Sequence, residues 1–305
     1  MSVFLVPDGL DGERIDTAAA RMTGWSRSRL ADHVAAGRVV LDGVTVDKPS
    51  LRVKAGQMLD IDEMDAPTVT VVPQLADGVR IVHLDESIVV IDKPAGVAAH
   101  PSQGWAGPNV VAHLVAAGVS VATSGPPERQ GIVQRLDVGT SGLMVVTRSE
   151  AAYSALKQQF RAHTVEKVYT TVVQGHPDPP VGTIDAPIGR ASSNQWRFAV
   201  RDDGRRSVTH YETIELMRGA AALRIRLETG RTHQIRVHMA ALRHPVVGDP
   251  LYGCDPVLAA RLGLERQWLH AVQLGFVHPA TSQWVQFTSE PADDLRRALD
   301  LLRQG

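Results

Sequence analysis

The sequence predicts an α+β protein, in which a small N-terminal module precedes a larger, mixed and largely antiparallel domain. Three observations lead to this prediction. Two short helical patterns and a hairpin pattern occupy the first sixty residues, and an acidic stretch ending in Ala66-Pro67 then marks a boundary. Beyond it, apolar alternation typical of strands outnumbers helical patterns. We therefore place an N-terminal domain at 1–62, a linker at 63–78 and a second domain at 79–305.

Length and composition indicate a globular chain. The 305 residues are 44% hydrophobic, which is enough to bury a substantial core. The apolar run at the N-terminus is too short for a signal or membrane-spanning segment, so we expect a cytoplasmic protein without a membrane partner. The single cysteine, Cys254, excludes an internal disulfide framework and a cysteine zinc cluster.

Two helices and a hairpin are predicted in the N-terminal module. The first helix has an apolar stripe and ends at Gly24, and the second places Leu30 and Val34 on one face before Gly37. Asp42-Gly43 lies between two apolar runs and suits a tight hairpin turn. The stripe of the first helix consists of Ile15, Ala18, Ala19 and Met22.

The same module holds a local excess of positive charge. Residues 21–54 contain seven Lys and Arg but three Asp, a local charge of +4 in a chain whose net charge is −1. Taken alone, these charges would indicate an ordinary solvated helix face. However, two short helices followed by a basic hairpin resemble the S4-like RNA-binding module over about residues 12–61. The resemblance implies RNA contacts from Arg27, Arg29 and Arg38.

The second domain is predicted mainly as strands. The strand-like segments are 80–84, 87–91, 143–146, 168–173 and 223–227. Helices are predicted near 109–117 and from a cap at Ser149 through Phe160, with Ala152 and Leu156 on the buried stripe. The sequence contains no phosphate-binding loop, dinucleotide fingerprint, nucleophile elbow or His-Glu-x-x-His pair. The common cofactor and hydrolase motifs are therefore absent from it.

One run, 131–143, carries most of the candidate chemistry. Arg135 and Asp137 are two residues apart, so an extended backbone would point both side chains to the same face. Gly139 and Gly142 permit a sharp bend and a close backbone approach. Considered without further context, an Arg-x-Asp before a glycine turn is more often a structural salt bridge than a catalytic site.

This run resembles the central motif of the ribosomal large-subunit type of pseudouridine synthase, in which Arg-Leu-Asp is followed by Thr-Ser-Gly-Leu. Three further segments match the family in its order: 92–97 with His100-Pro101, 166–169 with Gly175, and 230–238 with 248–253. The resemblance spans nearly the whole chain and implies an isomerase of uridines in RNA, most closely in large-subunit ribosomal RNA. Two departures are Gln134, where the family usually has His, and Val138-Gly139, where it has a more polar pair.

The resemblance assigns roles residue by residue. Asp137 matches the catalytic aspartate, Tyr169 the active-site tyrosine, and Arg231 the arginine that pairs with the aspartate. The reaction breaks the glycosidic bond, turns the base and rejoins it through carbon, so neither a nucleotide cofactor nor a metal is implied. The residues expected to contact RNA in this domain are Lys93, Arg135, Lys167 and Arg236.

The expected partner is structured ribosomal RNA, free or within a ribosomal particle, bound by a monomer. The target uridine must leave its stack, so a loop or a flippable nucleotide is the expected substrate. Two other functions stay open. A non-catalytic RNA chaperone or assembly factor is disfavoured by the intact Asp137, Tyr169 and Arg231, and a carbohydrate hydrolase is disfavoured because no second acid lies in a comparably distinctive run.

Several residues have a structural reading beside a functional one. His233 and His238 lack a clear third metal ligand, so we expect them to position RNA or to pack. Trp105, Trp196 and Trp284 are candidates for stacking on bases, and we expect two of the three to lie in the core.

Overall fold

The computed structural model describes residues 2–25, 27–62, 71–101, 105–191 and 197–304, without the side chains of Arg27, Ser28 and Pro127. The chain forms two compact units, Met1–Thr68 and Val69–Gly305, and each unit has its own hydrophobic core. Both units combine helices with mainly antiparallel sheets, so the predicted α+β class is confirmed. Among the described residues, no helix combines the length and apolar character needed to cross a membrane.

The first unit packs two helices against a four-stranded antiparallel sheet of order β1-β4-β2-β3. Its elements are β1 (Ser2–Leu5), α1 (Ile15–Thr23), α2 (Arg27–Ala35), β2 (Val39–Leu41), β3 (Val44–Thr45) and β4 (Met58–Ile61). Gly24 ends α1 in the left-handed region, and Asp42 and Gly43 have positive φ angles of 50° and 82° in the β2–β3 turn. The predicted helix stop and hairpin turn are therefore confirmed.

The predicted linker, 63–78, differs from the structure in its second half. Residues 63–70 lie outside the described residues, but residues 71–78 contact the second unit. The amide of Gln74 donates to the carbonyl of Ala112 at 3.2 Å, and that of Ala76 donates to Nδ1 of His113 at 3.0 Å. Ala76 is also buried in the core of the second unit. These residues belong to that unit because their backbone hydrogen bonds and apolar side chains are satisfied there.

The second unit is built on a nine-stranded sheet of order β5-β6-β7-β14-β8-β13-β12-β9, in which β15 also pairs with β14. The strands of this sheet are β5 (Arg80–Leu84), β6 (Ile88–Lys93), β7 (Ser141–Thr147), β8 (Glu166–Gln174), β9 (Val181–Asp185), β12 (Val208–Met217), β13 (Ala220–Leu227), β14 (Leu269–Val277) and β15 (Trp284–Thr288). Two further strands, β10 (Ile188–Arg190) and β11 (Phe198–Val200), form a separate antiparallel pair. Among the strand-to-strand pairings of the described residues, only β7–β14 is parallel, and an isolated parallel bridge joins Ala98 to Asn109.

Five helices accompany this sheet. They are α3 (Val110–Ala116), α4 (Glu150–Ala162), α5 (Gln234–Ala241), α6 (Pro256–Arg261) and α7 (Asp293–Gln304). Asn109 caps α3 and Ser149 caps α4, each through a side-chain oxygen that accepts a backbone N–H of the first turn. The two helices predicted for this domain are therefore confirmed, whereas α5, α6 and α7 were not predicted.

Helices cover both faces of the sheet near β6. Val90 packs in one cluster with Leu156 of α4, whereas its neighbour Val89 packs in another with Leu114 of α3 and Leu295 of α7. Successive residues of a strand point to opposite faces, so β6 is buried on both sides. This burial explains why its sequence is a continuous apolar run rather than an alternating one.

Candidate active site

Asp137 borders two cavities in the second unit. The larger has a volume of about 700 Å³ and is lined by Asp137, Tyr169, Arg231, His233 and Arg236 together with residues of α4. A second cavity of about 490 Å³ shares Asp137, Arg135, His233 and Arg236. The candidate catalytic residues predicted from the sequence are thus brought to one place.

The bend after Asp137 depends on two glycines. The carbonyl of Asp137 accepts the amide of Thr140 at 3.0 Å, which closes a turn before β7. Gly142 has a φ of 112°, and a Cβ there would lie 2.4 Å from the carbonyl oxygen of Ala271 in β14. A Cβ on Gly139 would lie 2.6 Å from Oε1 of Gln267. Only glycine fits at position 142, where the neighbour is backbone, and this agrees with the predicted close backbone approach.

Lys93 supports this loop from the protein interior. Its Nζ donates to the carbonyls of Pro94 at 2.9 Å, Val97 at 2.8 Å and Val138 at 3.4 Å, and its side chain is fully buried. Burial lowers the pKa of Lys93 to about 7, although the charge of Asp137 opposes this shift. The structure therefore disagrees with the predicted RNA contact of Lys93, because its amino group is fully buried and bonded to backbone carbonyls.

The ion pair of Asp137 is made by Arg236 and not by Arg231. Nη1 of Arg236 donates to Oδ2 of Asp137 at 3.2 Å, while its Nε and Nη2 donate to the two oxygens of Asp249 at 2.7 and 2.9 Å. Arg231 precedes α5, and its Nε instead donates to the carbonyl of Arg206 at 3.1 Å. The predicted pairing is wrong because the first turn of α5, not the loop before it, presents a guanidinium to the carboxylate.

Arg236 is buried and held in its charged form. Burial opposes its charge, but the hydrogen bonds and charge of Asp249, and then of Asp137, raise the pKa of Arg236. The Asp249 side chain is itself fully buried and also accepts the amides of Leu251 and Tyr252. Two carboxylates therefore engage this guanidinium, which also lines both cavities, and the RNA contact of Arg236 stays a prediction.

One oxygen of Asp137 is left without a protein partner. Both ionic contacts of this carboxylate, Arg236 at 3.2 Å and Nε2 of His233 at 3.9 Å, are made to Oδ2. Within the described part of the chain, Oδ1 receives no hydrogen bond. The carboxylate is thus anchored through one oxygen, and the other remains available for a reacting group.

Tyr169 and His233 complete the surroundings of this carboxylate. Tyr169 lies in β8 and lines the larger cavity, and burial, with a smaller effect from the charge of Asp137, raises its pKa and keeps the hydroxyl protonated. Nδ1 of His233 shares a hydrogen bond of 2.8 Å with the hydroxyl of Tyr252. Burial lowers the pKa of His233 despite the nearby Asp137, so this imidazole is neutral at pH 7.

The other predicted RNA contacts have different environments. Arg135 is exposed and lines both cavities, so it remains available to RNA. Lys167 lines the larger cavity, but its Nζ donates to the carbonyl of Glu228 at 2.9 Å and burial lowers its pKa to about 8. In the first unit, the guanidinium of Arg29 lies 3.7 Å from the ring centre of Trp25, and Arg38 is half-buried. The side chain of Arg27 lies outside the described residues.

The remaining candidates divide between packing and exposure. His238 is buried, with Nδ1 bonded to Oγ1 of Thr209 and Nε2 to the carbonyl of Ala186, both at 2.9 Å, so it packs. Trp284 is 51% exposed and Trp105 is half-buried. Trp196 lies outside the described residues. Trp284 is therefore not a core residue, and the expectation that two of the three tryptophans lie in the core stays a prediction.

A group of three potential metal ligands, His83, Asp85 and His278, lies outside this site. Oδ2 of Asp85 accepts from Nε2 of His83 at 2.6 Å and from Nε2 of His278 at 2.9 Å. Nδ1 of His278 accepts the amides of Ala280 and Thr281, so its proton is on Nε2, the atom that would have to bind a metal. These contacts indicate that the three side chains are joined by hydrogen bonds and do not form a metal centre.

The sequence interpretation missed two features of the site. Asp249 was noted only as part of a matching segment, although it holds Arg236 in place. Tyr153, Lys157 and Arg161 of α4 line the larger cavity and were not singled out. Their spacing at i, i+4 and i+8 was a signal that all three share one face of the helix.

This chain is similar to known proteins over most of its length. A family described as RNA pseudouridylate synthase matches residues 87–241, and the S4 domain matches residues 13–59. The chain is 53% identical over 299 residues to an uncharacterised RNA pseudouridine synthase of Mycobacterium bovis, which covers 98% of this chain and 97% of that protein. It is 39% identical over 310 residues to ribosomal large subunit pseudouridine synthase D of Xanthomonas campestris, covering 98% and 92% of the two chains.

A solved structure has the same fold. Human RNA pseudouridylate synthase domain containing 4 superposes with a TM-score of 0.58 at 25% identity, covering 73% of this chain and 93% of that one. The family match covers half of the chain and contains Asp137, Tyr169 and Arg236, while the relatives extend over nearly all of it. The chain therefore belongs to the RNA pseudouridine synthase family, and it is an isomerase that converts uridine to pseudouridine.

Proposed function

We propose that this enzyme modifies uridines of large-subunit ribosomal RNA and that Asp137 is its catalytic carboxylate. The observation that carries the proposal is the placement of Asp137 at the cavity. Arg236 anchors it through Oδ2, and Oδ1 has no hydrogen-bond partner among the described residues. The large-subunit ribosomal RNA substrate is supported by the relatives named ribosomal large subunit pseudouridine synthase D.

The chemistry begins with cleavage of the bond between uracil N1 and the ribose. Positive charge develops on the sugar in this step, and a carboxylate beside it stabilises that charge, as in glycoside hydrolysis. Asp137 either bonds to the sugar carbon as a nucleophile or removes a proton from the sugar as a base, and both roles require the ionised form. Arg236 favours that form because its guanidinium lies 3.2 Å from Oδ2.

Tyr169 contributes after the base has been freed. Its ring lines the cavity and gives uracil a stacking surface while the base turns to present carbon to the sugar. The new carbon–carbon bond leaves a proton on that carbon, and N1, freed from the sugar, gains one. The hydroxyl of Tyr169, which burial keeps protonated, can relay this transfer by accepting the proton from carbon as it passes its own proton on toward N1. His233 is neutral at pH 7 and has Nε2 near Asp137, so it adds a polar contact without a second charge.

The proposal also covers the cofactor requirement, the oligomeric state and the RNA substrate of the enzyme. The isomerisation has no redox change and transfers no group to a second molecule, so it requires neither a nucleotide cofactor nor a metal. We propose that the enzyme acts as a monomer, because Asp137, Tyr169 and Arg236 of one chain line the same cavity. We propose structured ribosomal RNA in the cytoplasm, free or in a ribosomal particle, as the substrate, with the target uridine in a loop or flipped from its stack.

The test is the pseudouridine content of large-subunit ribosomal RNA incubated with purified protein. We expect new pseudouridine at discrete positions, mapped by chemical labelling, and none in RNA incubated with the Asp137→Asn variant. The rival carbohydrate hydrolase predicts that sugar is released from a carbohydrate substrate, so an assay for released sugar separates it from the isomerase. RNA that is bound but unchanged would instead support a chaperone role.

A further inference from the structure

We propose that the cavity-facing side of α4 is a binding site for unpaired RNA nucleotides next to the target uridine. The inference rests on the proposed function and names a subsite of the same cavity. In this assignment Lys157 and Arg161 contact phosphates and Tyr153 stacks on a base.

The helix is anchored on one side and open on the other. Tyr153, Lys157 and Arg161 are spaced at i, i+4 and i+8, and all three line the cavity that contains Asp137. On the opposite side, Leu156 is fully buried in the core. The three side chains are therefore presented from a rigid element, which limits the ordering needed when a ligand binds.

The charge of the cavity suits a polyanion. Its lining includes seven Lys and Arg side chains but a single carboxylate, Asp137, in a chain whose net charge is −1. Arg236 is already neutralised by two carboxylates. Lys157 and Arg161 are exposed, and no described carboxylate lies within salt-bridge distance of either. These two cations are therefore available to phosphates.

An aromatic surface lies beside these cations. Tyr153 and Phe160 are half-buried, pack against the core cluster under α4 and line the cavity. Nζ of Lys157 lies 5.7 Å from the centre of the Tyr153 ring. A ring that is fixed by the core and faces a cavity offers a stacking surface for any base, and an adjacent ammonium group pairs with the neighbouring phosphate.

A structural role accounts for only part of this arrangement. Arg161 lies in the last turn of α4 and Glu150 in the first, and both positions are favourable for the helix dipole. That effect does not explain why Tyr153 and Lys157 share the cavity with Arg161. Experiment can separate the two roles of Arg161. A contribution to the helix dipole changes the stability of the protein, whereas an RNA contact changes its affinity for RNA.

The test uses the full chain with Lys157→Gln and Arg161→Gln combined. Affinity for a large-subunit ribosomal RNA fragment is measured at several salt concentrations, alongside steady-state pseudouridine formation and a melting curve. If two phosphates of an unpaired strand are contacted, the slope of log affinity against log salt should fall by about 1.4. We expect KM to rise at least about fivefold and kcat to stay within about twofold.

The aromatic contact is tested separately. Tyr153→Leu keeps an apolar group on the core but removes the stacking ring, and should weaken RNA binding by roughly 5- to 100-fold. Tyr153→Phe keeps the ring and should bind within about twofold of the parent. The matched control for the charge variant is Arg261→Gln with Arg297→Gln, two exposed arginines outside the cavity lining.

An unchanged salt slope and KM in the Lys157 and Arg161 variant, equal to those of the control, would overturn the proposal. A loss of kcat at unchanged KM would also overturn it, because the effect would then lie in the chemical step. The binding titration does not depend on turnover. An inactive parent protein would therefore refute the proposed function while the affinity data still decide the role of α4.

Discussion

Arg236 is shared between Asp137 and Asp249. One nitrogen donates to Asp137 at 3.2 Å, and the other two form a bidentate pair with Asp249 at 2.7 and 2.9 Å. The Asp249 pair is shorter and has two parallel hydrogen bonds, so it fixes the guanidinium. The contact with Asp137 is single, and a change at Asp137 therefore leaves Arg236 in place.

Asp137→Asn should abolish pseudouridine formation while the fold persists. The amide is nearly isosteric, but it cannot act as a nucleophile, as a base or as a counter-ion to a developing sugar cation. Because Asp249 still holds Arg236, we expect a stability loss of roughly 1–3 kcal/mol and retained RNA binding. Pseudouridine content, a melting curve and an RNA titration are measured on the same preparation. A folded variant with near-parental turnover would show that the carboxylate is only structural.

Arg236→Gln and Arg231→Gln should have different effects on stability. The first leaves the buried Asp249 without its ionic partner, which we expect to cost about 3–5 kcal/mol in the free energy of unfolding. The second removes a half-exposed side chain bonded to one carbonyl and should cost about 1 kcal/mol or less. Denaturant unfolding of both variants measures this difference. Similar losses for the two would contradict the pairing of Arg236 with both carboxylates.

The sequence predicted helix ends and turns well, but it predicted contacts between residues distant in the chain less well. The stop at Gly24, the Asp42-Gly43 turn and the cap at Ser149 follow from backbone geometry, which a few neighbouring residues determine. The identity of the arginine beside Asp137 depends on where α5 begins relative to a loop almost a hundred residues away in sequence. No local pattern contains that information, and the pairing implied by the family resemblance named Arg231 where the structure has Arg236.

Burial was the other quantity that the sequence did not determine. Lys93 lies between a charged residue and a proline, which is typical of a surface position, but it ends β6 and its side chain is fully buried. α7 was missed although Leu295, Ala298 and Leu302 follow helical spacing, because the flanking charges hide the stripe. The strands were easier to find where both faces are buried, as in β6, because such runs are continuous and apolar.

Tyr169→Phe should slow the reaction with little effect on affinity. The variant keeps the ring for stacking and removes only the hydroxyl, which burial holds in its protonated form. If that hydroxyl relays the proton from the new carbon–carbon bond, kcat should fall at least tenfold while the dissociation constant for RNA changes by less than about twofold. Single-turnover kinetics with labelled RNA measures the step. An equal loss of affinity and rate would indicate a binding role instead.

Lys93 should make the stability of the second unit depend on pH in the alkaline range. Its pKa is about 7 in the folded protein and has an ordinary value of 10.5, so between these values the unfolded chain binds more protons. The contribution of Lys93 to the free energy of unfolding therefore rises with pH between about 7 and 10.5, by up to about 1.4 kcal/mol per pH unit. Lys93→Met should remove this slope. Denaturant unfolding at pH 7, 8 and 9 measures it, and Lys157→Met is the exposed control. A slope that is unchanged in Lys93→Met would assign the pH dependence to other groups, such as Lys167.

Removal of residues 1–68 should leave a folded, active second unit that binds RNA less tightly and less selectively. Each unit has its own core, and Asp137, Tyr169 and Arg236 all lie in the second. The segment with a local charge of +4 would be lost, so the salt dependence of RNA affinity should also become shallower. A melting curve of the truncated chain tests its folding, and mapping of modified positions compares its selectivity with that of the full chain. Arg38→Gln in the full chain tests one predicted contact without deleting the unit. Equal affinity, equal salt slope and equal site choice for the truncated and full-length chains would exclude a role for the first unit in RNA recognition.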